Sequence, residues 1–181
     1  MRRRIPRAPA KALLFVGTLF SNEEHLAKAR RSLEEHFGEI IMESPALEWD
    51  FSDYYREEMG GPIYRRFLFF RELTEQDKIA SIKLITNEIE KELSTGDKRN
   101  INLDPGYLTL AKLVLATTKD YSHRLYLKDG IYAEVTLMYQ KQKGRFIPNI
   151  NTYRDYADSR YQRIFHIARG LLCLLSKSAG V

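Results

Sequence analysis

Apolar residues appear along this chain in two rhythms, continuous or alternating for strands and three-to-four spaced for helices. Ala12 to Phe20 is a continuous apolar run, as expected of a central strand covered on both faces. Ser21 followed by Glu24 is a capping-box pattern, and Leu26, Ala29, Leu33 and Phe37 then form a helical stripe that stops at Gly38. Glu39 to Met42 predicts a second strand. Pro45 to Pro62 has no rhythm and reads as a long irregular stretch rich in acids and aromatics. Ile63 to Arg71 predicts a third strand. Thr74 is placed to cap a long helix with Ile79, Ile82, Ile85, Ile89 and Leu93 inward.

The stretch Asn100-Ile101-Asn102-Leu103 alternates as a short fourth strand. Asp104 then stands as an N-cap and Pro105 at the first helical position, where its fixed φ fits and its missing N–H costs nothing. A third helix to about Thr117 is predicted, in preference to the strand that Val114 and the threonines would also allow. Tyr121 to Gln140 reads as a hairpin about Asp129-Gly130, a dipeptide favoured in type I′ turns. A two-residue turn pairs Leu127 with Tyr132, Leu125 with Glu134 and His123 with Thr136. His123 and Glu134 then share one face, with the leucines turned toward the body. Gly144 allows a further turn, and Phe146-Ile147 a short strand. A last helix carries Tyr161, Ile164, Phe165, Ala168, Leu171, Leu172 and Leu175 on one stripe.

The order β-α-β-β-α-β is that of a ferredoxin-like split core. The expectation is an α+β fold: that core with an added helix, an antiparallel hairpin and a C-terminal helix. Residues 11–181 form one domain behind a flexible basic arm, residues 1–10.

Charge changes the picture in one respect. The formal net charge is +5, yet beyond Arg2, Arg3, Arg4, Arg7 and Lys11 the remaining 24 basic residues balance 24 acidic ones. A nucleic-acid module usually carries its excess on the folded body, so that partner is disfavoured. The lone Cys173 makes no internal disulfide and fits a reducing cytoplasm. No run approaches the length a membrane span needs, and no membrane partner is expected.

Phosphate-loop, dinucleotide-fingerprint, zincin and nucleophile-elbow motifs are absent. Polar clusters carry what chemistry there is: Asn102 with Asp104; His123, Arg124 and Glu134 on the hairpin; Tyr153, Asp155 and Tyr156 before the last helix; Asp53, Tyr54 and Tyr55 with Glu58 in the long stretch. Each has a structural alternative: Asp155 as a helix cap, Glu134 as an ion-pair partner, the tyrosines as a core lid. Cys173 reads as a buried inert thiol, His25 and His36 as surface residues, and His166 as half-buried.

Three blocks, Ser52-Asp53-Tyr54-Tyr55 with Glu58-Met59-Gly60, Arg99 to Tyr107, and Leu113 to Asp120, resemble signatures of an uncharacterised prokaryotic family, a domain of unknown function. So do His123 to Leu127, Tyr132 to Leu137 and Thr152 to Tyr156. Asn151 and Arg154 stand where the family pattern has Trp and Pro. Some relatives carry a GTP-binding label; this chain has no guanine-specificity motif. The resemblance implies a cytoplasmic single-domain protein and no known reaction.

The functional expectation is a small-molecule site for a nucleotide or other anionic ligand, with enzymatic use of its acids. Glu134, His123 and Asp104 are the candidate proton-transfer groups. Asn102, Arg124, Asp53, Tyr54, Tyr55, Tyr153 and Asp155 are the candidate binding residues, with Arg124 facing an anionic group. Asp104 and Asn102 could also serve a hard cation. The sequence names no cofactor and no metal. The competing expectation is a non-catalytic RNA- or protein-binding module.

Overall fold

Strand β1 (Ala12–Phe20) is buried at every position and takes an antiparallel partner on each side. The computed structural model describes residues 5–178. Around β1 stand β2 (Ile40–Glu43), β3 (Leu47–Trp49), β4 (Ile63–Thr74), β5 (Ile101–Leu108), β6 (Lys112–Thr117), β7 (Leu125–Lys128), β8 (Ile131–Gln140) and β9 (Arg145–Pro148). They form one nine-stranded antiparallel sheet in the order β2-β4-β1-β5-β6-β8-β7, with β3 on β4 and β9 on β8. The helices are α1 (Glu23–Phe37), the short α2 (Tyr54–Met59), α3 (Ile79–Glu92) and α4 (Ser159–Ser178). The fold is α+β, and among the described residues no helix is long and apolar enough to cross a membrane.

Alternation along the inner strands sorts side chains to two cores. Val16, Phe20, Leu68, Phe70 and Leu103 face α1 and α3, meeting Leu26, Leu33, Ile79 and Ile89. Phe15, Phe67 and Phe69 face α4, where Tyr161 and Phe165 close on them; the Phe67 and Phe165 rings lie 4.9 Å apart, edge to face. Each such ring, free of polar atoms, contributes about 2–3 kcal/mol by burial. A third cluster, Leu19, Trp49 and Ile63, sits beneath Phe51, Tyr55 and Met59 of α2 and its approach.

The helix expected from Asp104 does not exist. The chain continues as β5 through Leu108, turns at Thr109 and returns as β6. The Thr109 hydroxyl accepts the N–H groups of Ala111 and Lys112 and holds that turn. The local Asp-Pro signal loses to the ladder with β1, in which Asp104 lies opposite Gly17 and Pro105 opposite Val16. Pro105 is tolerated in an inner strand because of what happens on its other side. β5 and β6 pair only from Gly106↔Leu115 to Leu108↔Leu113, after which β6 follows β8. The half from Ile101 to Pro105 therefore has no strand on that edge. Leu103 shows the consequence: its N–H is accepted by Glu90 Oε1 at 2.5 Å, and its carbonyl accepts from Lys83 Nζ at 2.8 Å. Pro105, two residues on, points its missing N–H to the same open edge.

Other expectations are corrected at the boundaries. Asn22, not Ser21, caps α1, accepting the Glu24 N–H at 2.8 Å, while the Ser21 hydroxyl donates to the Met59 carbonyl. Thr74 ends β4, and a 3-10 turn, Gln76–Lys78, leads into α3. The stretch expected to be irregular contains β3 and α2. Asp129 and Gly130 do take positive φ, but a bulge pairs Leu125 with Ala133 and Tyr126 with Tyr132, and His123 precedes β7. Leu125 and Leu127 are exposed rather than turned inward, and His166 is exposed. Residues 1–4 of the expected arm lie outside the described residues; Ile5 to Lys11 is exposed irregular chain, with Ala10 accepting from Gln76.

Candidate functional site

The splay between β5 and β6 opens a cleft of about 860 Å³. β5 contributes Asn102 and Asp104, β6 and the residues after it Leu115 to Lys119, and β8 Glu134. α3 reaches in with Lys83, Asn87 and Glu90, the α2 region with Trp49, Phe51, Tyr54 and Tyr55, and the segment before α4 with Tyr153 to Tyr156.

Arg65 is the hub of one wall. It occupies the α4-facing side of β4, in line with Ile63, Phe67 and Phe69, and is 3% exposed. Its two terminal nitrogens donate to Asp104 Oδ2 and Asp155 Oδ2, each at 3.0 Å. Trp49 Nε1 donates to the same Asp155 oxygen at 3.1 Å. Burial drives the Asp104 carboxyl upward, but Arg65 and Lys83 outweigh it and hold it below the usual carboxylate range. Gly17 makes room for this pair: a Cβ there would meet Arg65 Nη1 at 3.0 Å, Phe67 at 3.1 Å and the Tyr156 hydroxyl at 3.2 Å.

The second wall is built on Glu134. Its Oε2 accepts from Arg124 Nε at 2.7 Å and lies 3.0 Å from His123 Nε2, and Oε1 accepts from Thr136. Arg124 also donates to the Lys119 carbonyl and to the Tyr153 hydroxyl, and stacks its guanidinium 4.5 Å from the Tyr121 ring centre. Burial pushes the Tyr153 phenol up.

A third group closes the aromatic end. Arg99 forks onto both Glu58 oxygens at 2.8 Å, lies over the rings of Tyr54 and Tyr55, and donates to Asn102 Oδ1 at 3.2 Å. Those bonds to Arg99 hold the Glu58 carboxyl low, and burial pushes the Tyr55 phenol above its ordinary value.

Of the residues expected from sequence, Asp104, Glu134, Asn102, Tyr54, Tyr55, Tyr153 and Asp155 line this cleft together. His123 and Arg124 stand behind Glu134. Arg124 is buried with its donors taken by Glu134, Tyr153 and Lys119, so it is not free for a ligand's anionic group as expected. Asp53 does not join: it precedes α2, makes no side-chain cap, and its side chain is 89% exposed. Asp155 is no cap for α4, which starts at Ser159; Arg65 and Trp49 hold its carboxylate instead.

Arg65, Trp49, Lys83, Glu90 and Arg99 were not anticipated. Three of them left a readable trace. Arg65 is a charge on the apolar side of an alternating strand. Lys83, Thr86 and Glu90 fall on the helix stripe that Ile79, Ile82 and Ile89 bury. Among the described residues no group of three or more His, Cys, Asp or Glu is arranged to hold a metal ion.

Neither a curated protein nor a solved structure matches the chain significantly. Residues 10–171 match the model of the family described as Domain of unknown function (DUF4416), which bears out the expected membership of an uncharacterised family: the chain belongs to that family.

Proposed function

We propose that the β5–β6 cleft binds a small anionic ligand, a nucleotide or another phosphorylated or carboxylated compound, and that its acids make proton transfer available there. One observation carries the reading: the sheet gives up ladder pairing in its middle, and polar side chains from both faces fill the opening. A fold that sought only stability would pair those strands. Cations outnumber acids in the lining, and three of its acids are already ion-paired, Asp104 and Asp155 sharing Arg65 and Glu134 with Arg124. Lys119 and Arg154, exposed on the lining, make no ion pair among the described residues and are the groups left to meet an anion. Trp49, Phe51, Tyr54 and Tyr55 offer flat apolar surface for the ligand's organic part.

The strand order β2-β4-β1-β5, with α1 and α3 on one face, supports reading that half as a ferredoxin-like split core widened by β6 to β9. The competing reading, an RNA- or protein-binding module, is weakened for RNA because both faces of the inner strands are covered. Its favourable observation is β7, an edge strand exposed at every residue, Leu125 and Tyr126 included.

The test is a melting-temperature screen with nucleotides, inorganic phosphates and di- and tricarboxylates. A saturable rise in the parent, lost in Lys119→Ala/Arg154→Ala, supports the cleft. Equal shifts in both proteins would sink it.

A further inference from the structure

We propose that Asn102 and Glu90 form the ligand-reading pair of this cleft, receiving an oxyanion, carboxylate or phosphoryl, with uptake of one proton by Glu90. The inference rests on the cleft being an anion site and names the groups that read the anion.

Asn102 supplies a donor whose direction is fixed. Its Oδ1 accepts from Arg99 Nη1 at 3.2 Å and from the Tyr55 hydroxyl at 3.3 Å. A guanidinium can only donate, so the amide cannot be turned round without breaking that bond. Nδ2 therefore faces the other way. It is buried, Asn102 being 4% exposed, and although the Asp104 carboxylate is close by, it makes no hydrogen bond of good geometry within the protein. Buried amide donors without partners are uncommon, and one on the wall of a cleft calls for an acceptor from the ligand.

Glu90 supplies the second half. It lines the same cleft and bonds the N–H of Leu103, the residue next to Asn102. Alone among the lining acids it has no ion pair among the described residues: Asp104 and Asp155 share Arg65, and Glu134 has Arg124. The groups facing it are Lys83 on its own helix, whose ammonium is turned to the Leu103 carbonyl, Asp104 on β5, Arg99 before β5, and the Tyr55 phenol on α2. Burial pushes its carboxyl up to about 7. An anion arriving beside Asp104 raises it further, since it adds negative charge while Lys83 and Arg99 stay as they are. Protonated, Glu90 turns from a repelling acceptor into an O–H donor beside the Asn102 amide.

The sign follows from linkage. The complex holds the proton more tightly than the free protein, so binding is strongest below pH 7. It weakens as pH rises through that value, by up to about tenfold per pH unit while one proton is exchanged.

The experiment uses the full chain with sulfate, a phosphoryl mimic, and separately oxalate, a dicarboxylate. Both are fully ionised between about pH 6 and pH 9. Melting temperature is titrated at constant ionic strength against chloride, and apparent affinities are read at each pH. Expected is saturable stabilisation by one of them, which assigns the oxyanion class, with affinity falling by roughly tenfold from about pH 7 to 8. Glu90→Gln should flatten that profile. Asn102→Asp, which keeps an acceptor for Arg99 and removes the amide donor, should lose the saturable part. If Asn102→Asp does not fold, Asn102→Ala, which has no side-chain donor, replaces it. Saturable binding with an unchanged pH profile in Glu90→Gln, or undiminished in the Asn102 variant, overturns the pair and leaves the cleft reading standing. Absence of saturable stabilisation by either anion in the parent overturns both.

Discussion

The two halves of β5 are treated in opposite ways by the fold. From Gly106 to Leu108 the strand is paired on both edges, and its side chains go into the apolar cores. From Ile101 to Pro105 it is paired only with β1, and its outer edge is finished by Glu90 and Lys83, side chains from a helix. Backbone groups are satisfied in both halves, so the difference is not one of neglect. What differs is the partner. A strand fills the space beside its neighbour, whereas two side chains leave a gap, and that gap is the cleft. A peptide edge can thus be capped and kept open, provided charged groups bear the desolvation that a strand would have avoided.

That contrast can be broken from either side. The largest effect is expected at Arg65, on the wall of the open half. Arg65→Met leaves Asp104 and Asp155 without their shared cation and should cost about 3–5 kcal/mol in urea unfolding near neutral pH. A loss under about 1 kcal/mol would mean the carboxylates find other partners and the wall is not built on Arg65.

Glu90→Gln sharpens the account of the edge itself. The raised carboxyl binds its proton more tightly in the folded chain than in the unfolded one, so its contribution to stability is full below the ordinary value of 4.5. That contribution is lost as pH rises through about 7. A rise from 4.5 to about 7 corresponds to about 3 kcal/mol. The variant should therefore match the parent near pH 4 and exceed it by up to about that amount near pH 9. Parallel stability curves across that range would refute a perturbed Glu90.

Gly106→Ala strikes the paired half. A Cβ there would come within 2.5 Å of Phe15 Cζ and 2.6 Å of the Val114 carbonyl, and a backbone oxygen in a ladder cannot give way easily. A loss of about 1–3 kcal/mol is expected by thermal unfolding, without selective damage to ligand binding. Gly17→Ala makes the informative pair with it, since its Cβ meets the Arg65 guanidinium and should disturb the cleft more than the core. Equal effects of the two variants on anion binding would blur the distinction between the halves.

Lys83→Met should show the smallest change. It removes the donor to the Leu103 carbonyl, which water in the cleft can replace, and one cation beside Asp104, where Arg65 remains; about 1 kcal/mol is expected in the same unfolding assay.

Much of this site was legible in the residue types and little in its construction. Asn102, Asp104 and Glu134 stand out as polar residues beside apolar ones, Tyr153 and Asp155 as a polar cluster before the last helix, and they do share one cleft. Asp53 stood out for the same reason and faces solvent, because a polar residue in a loop looks alike whether it points in or out. Arg65 could have been noticed by its strand parity, and Glu90 by its place on an apolar helix stripe.

By itself the sequence determined the apolar run of β1, the stripes of α1, α3 and α4, the turn at Asp129-Gly130, and membership of the family. The elements depend on spacing within a few residues, and the family on a match along residues 10–171. Only the tertiary structure decided that Asp104-Pro105 lies in a strand, since that depends on Val16 and Gly17, far away in the chain. It alone decided that β6 leaves β5 after Leu115, that Glu90 and Lys83 stand in for it, and that Arg65 joins Asp104 to Asp155. Ladder pairing and ion pairing between distant segments leave no periodic mark on either partner, so no local pattern could announce them.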